Sequence, residues 1–260
     1  MREPLRIFVG WDGGETVAYH VLAHSIIRRA SIPVSIIPLR QDTLRQYGLY
    51  TRERGPTEST EFSLTRFLVP ALSGFHGTSV FMDCDMLFRA DVADLIAAVG
   101  KVETKTLQSG RGSPAVFCCP HDYQPSETVK FRGAVQTAYP RKNWSSFVVF
   151  RNDRCRALTP EYVNEASGLD LHRFNWLRES DPIGGLPLEW NWLVGEYAAP
   201  SEEVERGIKV FHWTNGGPWM DGYHDAEYAD LWRAERANML GAPPGANILM
   251  HGYASASDIP

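Results

Sequence analysis

Two carboxylates one residue apart, Asp83 and Asp85, close an apolar run in "FMDCDMLF" (81–88). Carboxylates held that close repel, and at neutral pH the arrangement persists only where a proton or a cation is shared. A divalent metal is the economical solution. Oxygen ligands from Asp83 and Asp85, with an imidazole from His212 at the end of "IKVFHW", suit Mn²⁺ or Mg²⁺, and the imidazole tilts the choice toward Mn²⁺. Such a site, with positions left open, is shaped to bridge the oxygens of a diphosphate and to neutralise charge growing on a leaving group. The plainer alternative is that both aspartates end a strand and cap the turn beyond it. Asp-x-Asp alone is a weak motif. Here the apolar strand before it and "MLF" after it put both carboxylates at a buried edge, where a cap needs only one.

The scaffold that must position these groups reads as α/β. "LRIFV" (5–9), a helix-period segment over 15–29 and "PVSIIPL" (33–39) make a βαβ opening. A turn-rich stretch (48–60) leads to a short helix "EFSLTRFLV" ended by Pro70, then to the strand "TSVFM" (78–82). "RADVADLIAAV" reads as a helix capped by Asp91. Further strands are expected at 114–119, 145–150 and 208–213, and helices near 160–166, 170–178 and 226–239. The Gly/Pro-rich segments 109–114 and 184–187 and the polar stretch 121–143 read as loops, the last long enough for a binding role. Open α/β sheets bind ligands beyond the C-terminal ends of their strands, the edge that carries Asp12, Asp83, Asp85 and His212.

With 260 residues the chain has ample core for one large domain, 1–260. Hydrophobic residues make up 43% and charged residues 22%, and a net charge of −5 without any basic block argues against a nucleic-acid partner. The apolar stretch in "MREPLRIFVGWDGG" is too short for a signal peptide, and no run approaches the ~20 residues needed to span a bilayer. The expectation is a cytoplasmic protein whose membrane association, if any, is peripheral. Cys84, Cys118, Cys119 and Cys155 include no C-x-x-C and read as reduced packing residues. Trp144, Trp190, Trp192, Trp213 and Trp219 lie near Gly, Pro or Asn, so some are expected to line a ligand surface and others to fill the core. His20, His24, His76, His121 and His224 have no distinguishing context.

"FSLTRFLVPALSGFHGTSVFMDCDMLF" (62–88) resembles the central block of nucleotide-sugar glycosyltransferases of GT-A fold, most closely family 8. "IFVGWDGG" resembles that family's nucleotide-binding first strand, "LPLEWN" (186–191) its Leu-Pro-x-x-Trp-Asn segment, and "VFHWTNGGPW" (210–219) its C-terminal His motif. The resemblance spans roughly residues 5 to 220. It implies one GT-A domain with a mixed, mostly parallel sheet flanked by helices. About 1–120 would form the nucleotide-binding half, about 121–240 the donor-sugar and acceptor half, and 241–260 a tail. The implied activity moves a sugar from a nucleotide diphosphate, by resemblance UDP, to a carbohydrate or other hydroxyl acceptor with retention, in the manner of a bacterial-type polysaccharide enzyme.

By the same resemblance Asp83, Asp85 and His212 ligate the metal, Asp12 touches the base or ribose, and Arg66 reaches the donor near its sugar or phosphates. Ser145 and Ser146 in "NWSSFVVFRN" face the donor sugar, and Asp170 in "DLHRFN" is a donor-sugar ligand. His172, two residues on, could face the acceptor. Two departures stand out. The Gln expected beneath the anomeric carbon is Leu171, and Gly217 falls where the phosphate-binding Lys would be. Diphosphate charge would then be met by metal, by backbone N–H groups of Asn215, Gly216 and Gly217, or by Lys142, Arg141 or Arg132. Were the reaction inverting, Asp170, Asp181 or Glu189 would be the base. Trp144, Trp190, Trp192 and Trp219 are candidate stacking platforms for sugar. Two other classes compete. A sugar-phosphate nucleotidyltransferase is one, although "VGWDGGETVAYH" lacks its basic phosphate-loop residue. The other is a non-catalytic sugar-binding module.

Overall fold

A computed structural model of the chain describes residues 3–55, 58–122 and 141–241. Arg132, most of the 121–143 segment and the tail from 242 onward lie outside the described residues. Strand β1 (Leu5–Gly10) buries Ile7, Phe8, Val9 and Gly10 in succession, the pattern of a strand covered on both faces. Helix α1 (Thr16–Arg29) buries Ala18, Val21, Leu22, Ser25 and Ile26 along one stripe, with Arg28 and Arg29 in the last turn where cations suit the helix dipole. It returns the chain to β2 (Val34–Leu39), parallel to β1. After α2 (Gln41–Gln46), a 3₁₀ turn Thr65–Leu68 and α3 (Val69–Leu72), strand β3 (Thr78–Met82) pairs parallel with the other side of β1.

The six-stranded sheet has the order β2-β1-β3-β6-β5-β7, with β5 at Val116–Cys118, β6 at Phe147–Arg151 and β7 at Ile183–Gly185. Strand β6 runs antiparallel to β3 and β5, and β7 parallel to β5, so most pairings are parallel and the sheet is mixed. A second sheet has the order β4-β9-β8, with β4 at Met86–Phe88, β8 at Trp192–Leu193 and β9 at Val210–His212. Helix α4 (Val92–Gln108) follows β4 and is capped by Asp91, whose carboxylate accepts from the Ala93 N–H. Downstream come α5 (Pro160–Glu165), α6 (Gly168–His172), α7 (Glu202–Gly207) and α8 (Ala229–Met239), the last packing against α1. Among the described residues no helix is long and apolar enough to cross a membrane.

Three expected elements differ. Pro70 does not end a helix; it sits in the first turn of α3, where the missing N–H would have had no intrahelical partner. The helix expected over 170–178 stops at His172, and Phe174 closes it in the left-handed conformation (φ 57°). Part of the expected 184–187 loop is the edge strand β7, whose glycines lower strand propensity while its backbone pairs with β5. The core is mostly aliphatic and aromatic, with buried polar groups such as Arg66, Asn191 and His212 on the site side. Each fully buried Val, Ile, Leu or Phe contributes about 1.5–3 kcal/mol by leaving water. Trp190 and Trp213 belong to that core at 2% exposure, so neither is a sugar platform.

Candidate active site

Asp83 and Asp85 occupy the crossover where the chain leaves β3 in the large sheet and enters β4 in the small one. Two register relationships set their surroundings. Met82 pairs with Phe147, so the Asp83 N–H donates to the Ser146 carbonyl at 2.9 Å and the start of β6 lies beside the first aspartate. Met86 pairs with His212, and the Trp213 N–H donates to the Asp85 carbonyl at 2.9 Å, which sets His212 beside the second. The result is a three-residue group: single ligand atoms of Asp83, Asp85 and His212 lie within 4.8 Å of one another. His212 Nε2 is 3.2 Å from Asp85 Oδ1.

Asp85 Oδ1 is buried and accepts no hydrogen bond among the described residues. A buried carboxylate oxygen without a donor is costly, and a cation removes that cost. Two carboxylates and one imidazole form a donor set suited to Mn²⁺ or Mg²⁺. On both counts these residues fit a divalent ion.

Arg66, on the 3₁₀ turn before α3, is almost wholly buried. Its Nη1 lies 2.9 Å from Asp83 Oδ1 and donates to the Ser145 carbonyl at 3.0 Å, while Nε donates to the Phe62 carbonyl at 3.2 Å. Its guanidinium stacks 4.9 Å from the Phe81 ring centre. Arg66 thus tethers Asp83 to the loop that opens β6. Asp12 is buried at the end of β1, accepting from the Gly14 N–H at 2.9 Å and the Glu61 N–H at 3.2 Å.

Ser145 Oγ and His172 Nδ1 are 2.8 Å apart, so the structure joins these two expected residues, with the His172 ring edge-on to Phe67. Asp170 lies half-exposed on α6. Hydrogen bonds from Ser167 and Asn175 hold its carboxyl below the usual range, so it is an acceptor and not a proton donor at neutral pH. Leu171, beside it, is fully buried. Glu189 sits half-buried on the turn after β7, its carbonyl accepting from the Lys209 N–H at 2.7 Å just before β9. Asp181 precedes β7 and pairs with Arg154 at 3.0 Å, beyond the far end of β6. That is the opposite edge of the sheet, so Asp181 is not a base for this site.

After β9 the chain enters the loop 213–220, which starts from the Trp213 N–H bond to the Asp85 carbonyl. Asn215 Nδ2 donates to Glu196 Oε1 at 2.9 Å. Gly216 has φ +139°, and a Cβ there would stand 2.8 Å from the Tyr223 ring. A Cβ on Gly217 would stand 2.1 Å from the Trp219 ring, so the position expected to hold Lys has no room for a side chain. Lys142 is buried, next to Asn143, which adopts the left-handed conformation (φ 59°) and donates to Thr214 Oγ1 at 3.3 Å. The guanidinium of Arg141 lies 5.8 Å from the centre of the half-buried Trp144 ring, and Trp192 lies against Tyr197. Trp219 packs on Trp213 and Trp232 as part of an aromatic cluster.

Sequence reasoning missed several neighbours. Glu15, on the 3₁₀ turn after β1, is 3% exposed and accepts from Cys84 Sγ at 3.2 Å. Burial, then the charge of Asp85, pushes its carboxyl up to about 8. Asn191, fully buried, bridges His212, Ser146 and His121, and His121 contacts the Tyr197 hydroxyl at 2.5 Å. Burial, then His212, pushes His121 down to about 3, so it is neutral. The segment "LPLEWN" held the signal for Asn191; nothing in the local sequence signals Glu15 or His121.

No protein-family model matches the chain. Protein CDI of Arabidopsis thaliana is 47% identical over 236 residues, covering 90% of this chain and 86% of its own. Among solved structures, the bifunctional glycosyltransferase WbbM aligns over 92% of this chain with a TM-score of 0.59 at 15% identity, and the chain spans half of WbbM's length. GlyE of Streptococcus pneumoniae TIGR4 aligns over 95% of this chain and 67% of its own, with a TM-score of 0.56 at 12% identity. An active-site mutant of LgtC aligns over 92% and 98%, with a TM-score of 0.55 at 11% identity. At these identities the likeness shows the fold, and that fold is GT-A.

Proposed function

The chain belongs to the family of Protein CDI from Arabidopsis thaliana, and from that premise and the site's geometry we propose that it is a metal-dependent glycosyltransferase. It transfers a sugar from a nucleotide-diphosphate donor to an acceptor hydroxyl. The observation that carries the reading is the convergence of Asp83, Asp85 and His212 at the crossover between two sheets, with Asp85 Oδ1 buried and accepting no hydrogen bond among the described residues. The GT-A fold supports it independently, since the structural neighbours are glycosyltransferases. LgtC, one of them, is a galactosyltransferase solved with donor and acceptor sugar analogues.

In this reading Asp83, Asp85 and His212 hold Mn²⁺ or Mg²⁺. What a bound divalent ion supplies there is neutralisation of the charge that develops on the departing diphosphate. Arg66 keeps Asp83 in place and adds positive charge beside the donor. Asp12 shapes the nucleotide end of the site by holding the Gly14 and Glu61 backbones together. Asp170, ionised, accepts hydrogen bonds from the donor sugar, and Ser145 with His172 borders the sugar site. With Gly217 closed by Trp219, and the Gly216 N–H spent on the Trp213 carbonyl at 3.1 Å, diphosphate charge is met by the backbone N–H groups of Asn215 and Gly217 and by Lys142 or Arg141.

A UDP-hexose donor, membership in family 8 and retention rest on the sequence resemblance. Retention is compatible with buried Leu171, because front-face attack guided by the leaving phosphate needs no protein nucleophile. For an inverting reaction Asp170 or Glu189 would be the base. A cytoplasmic site of action and a polysaccharide product complete the reading on the same resemblance.

The test is thermal unfolding with UDP, GDP, CDP or ADP, each with Mn²⁺ and with EDTA, for wild type and Asp85→Ala. A nucleotide at ~100 times its dissociation constant adds about 2.7 kcal/mol to the native state. The expected result is stabilisation by one nucleotide, only with metal and only in wild type. Equal responses from Asp85→Ala and wild type would remove the central support. Incubation with a nucleoside triphosphate and a sugar phosphate separates this reading from nucleotidyl transfer. Turnover with the stabilising nucleotide's sugar separates it from a non-catalytic binding module.

A further inference from the structure

We infer that Asn191 is a positioning residue that holds His212 in the Nδ1–H tautomer, leaving the Nε2 lone pair facing Asp83 and Asp85. The inference rests on the reading of those three residues as metal ligands and adds what orients the imidazole.

The assignment follows from a chain of hydrogen bonds that can run in only one direction. Ser146 Oγ lies 2.7 Å from the Asn143 carbonyl oxygen. A carbonyl oxygen only accepts, and two oxygens that close require a proton between them, so the one hydroxyl proton of Ser146 is spent there. Ser146 Oγ can therefore only accept from Asn191, 2.9 Å away, and the atom facing it must be the amide nitrogen Nδ2. The second Nδ2 proton points to His121 Nε2 at 3.0 Å. With Nε2 accepting, the neutral His121 ring carries its proton on Nδ1 and donates it to the Tyr197 hydroxyl. Both amide protons of Asn191 are then committed, and Oδ1 is turned to His212 Nδ1 at 2.9 Å.

That oxygen can only accept, so His212 Nδ1 carries a proton. In a neutral ring Nε2 is then bare, 3.2 Å from Asp85 Oδ1, the same oxygen that accepts no hydrogen bond among the described residues. Two lone pairs meet across that gap, an arrangement a cation resolves and a proton-sharing contact does not. Metal-ligating histidines are commonly oriented by a partner on the other ring nitrogen, and loss of such a partner costs roughly 10–100-fold in affinity or activity. Ser146, Asn191 and His121 are buried, Asn191 completely, and Tyr197 at the end of the relay is half-buried.

The test has two arms on the full-length chain. In the first, long-range ¹H–¹⁵N spectra of the metal-free, ¹⁵N-His-labelled protein above pH 7 report the His212 tautomer, assigned by its loss in His212→Gln. A protonated Nδ1 with a bare Nε2 is expected; an Nε2–H tautomer overturns the inference, whatever the protein's reaction. In the second, Mn²⁺ binding is titrated by electron paramagnetic resonance for Asn191→Leu and Asn191→Asp, with metal-free melting recorded for both. Asn191→Leu removes the acceptor and should weaken Mn²⁺ by about 10–100-fold. Asn191→Asp keeps an acceptor for Nδ1–H and should bind at least ten times more tightly than Asn191→Leu. Equal weakening in both variants would reduce Asn191 to packing and overturn the inference. Failure of wild type itself to bind Mn²⁺ would instead overturn the metal reading, and the tautomer measurement would still decide the role of Asn191.

Discussion

The ring of Trp219 lies directly over Gly217, so close that a Cβ at Gly217 would come within 2.1 Å of it. This contact explains why the loop after His212 carries glycine where the family resemblance leads one to expect lysine. Trp219 is itself held by Trp213 and Trp232, with ring centres 6.1 and 5.3 Å away, so it cannot swing aside cheaply. Gly217→Ala should therefore destabilise the protein by about 1–3 kcal/mol, the usual cost of forcing an extra group into a packed site. Gly217→Lys should do the same or worse without tightening nucleotide binding. Urea unfolding of both variants checks the first statement, and nucleotide titration checks the second. A stable Gly217→Lys variant with improved affinity would show that the Trp219 cluster yields.

Arg66 pairs with Asp83 at 2.9 Å. Removing one member of a buried pair leaves an uncompensated charge and typically costs about 3–5 kcal/mol. Arg66 and Asp83 retain side-chain exposures of 8% and 13%, so the lower end of that range is expected for Arg66→Ala. Arg66→Lys preserves the charge but cannot span Asp83, Ser145 and Phe62 together, and should fall between the two. Equilibrium unfolding in urea gives the order. If Arg66→Lys were as stable as wild type, the fan of contacts would be irrelevant and charge alone would matter.

Much of this site was legible because its central signals are local. The apolar strand "TSVFM" followed by two aspartates names β3 and its edge, and "IKVFHW" names β9 and the histidine at its end. The chain order of strands does not name their spatial order. That Met86 faces His212 and Met82 faces Phe147 is a matter of register, and register decided that Ser146 and Asn191 join the site while Asp181 is carried to the far edge. Tryptophans were ambiguous for a related reason: Trp190 and Trp213 sit in polar, glycine-rich sequence yet point into the core. His121 and Glu15 were invisible because their significance lies wholly in partners distant along the chain or across the sheet. Short strands with glycines, such as β7, were missed because their pairing comes from neighbours and not from propensity.

Glu235 on α8 is buried against three partners on α1, with His24 at 2.7 Å, Arg28 at 3.4 Å and Arg29 at 2.7 Å. Burial works against its charged form, but Arg29 and His24 prevail and hold its carboxyl below the usual value. A carboxyl depressed in the folded state contributes stability above its unfolded value, near 4.5, and loses it as pH falls through the folded value. Glu235→Gln should cost about 1–3 kcal/mol at pH 7 and progressively less below pH 4.5. Melting curves of the two proteins across that range should converge on the acid side; parallel curves would mean that the α1–α8 contact is held by packing alone.

Glu15 presents the opposite sign, and it reports on the metal group. Its carboxyl is pushed up to about 8, first by burial and next by the charge of Asp85, while the unfolded chain returns it to about 4.5. Between those values the folded state keeps a proton that the unfolded state releases, so stability falls as pH rises through the window. The slope is at most about 1.4 kcal/mol per pH unit from this group. Glu15→Gln keeps the shape and the contact with Cys84 but cannot ionise, so in EDTA it should match wild type near pH 4.5 and exceed it by on the order of 1–3 kcal/mol at pH 8. Saturating Mn²⁺ should shrink the difference, because neutralising Asp85 removes the second cause of the shift. Denaturant melts at pH 4.5, 6 and 8, with and without Mn²⁺, measure all of this. A difference that is flat with pH would mean Glu15 is ionised in the fold, and one left undiminished by Mn²⁺ would mean the ion does not bind beside Asp85.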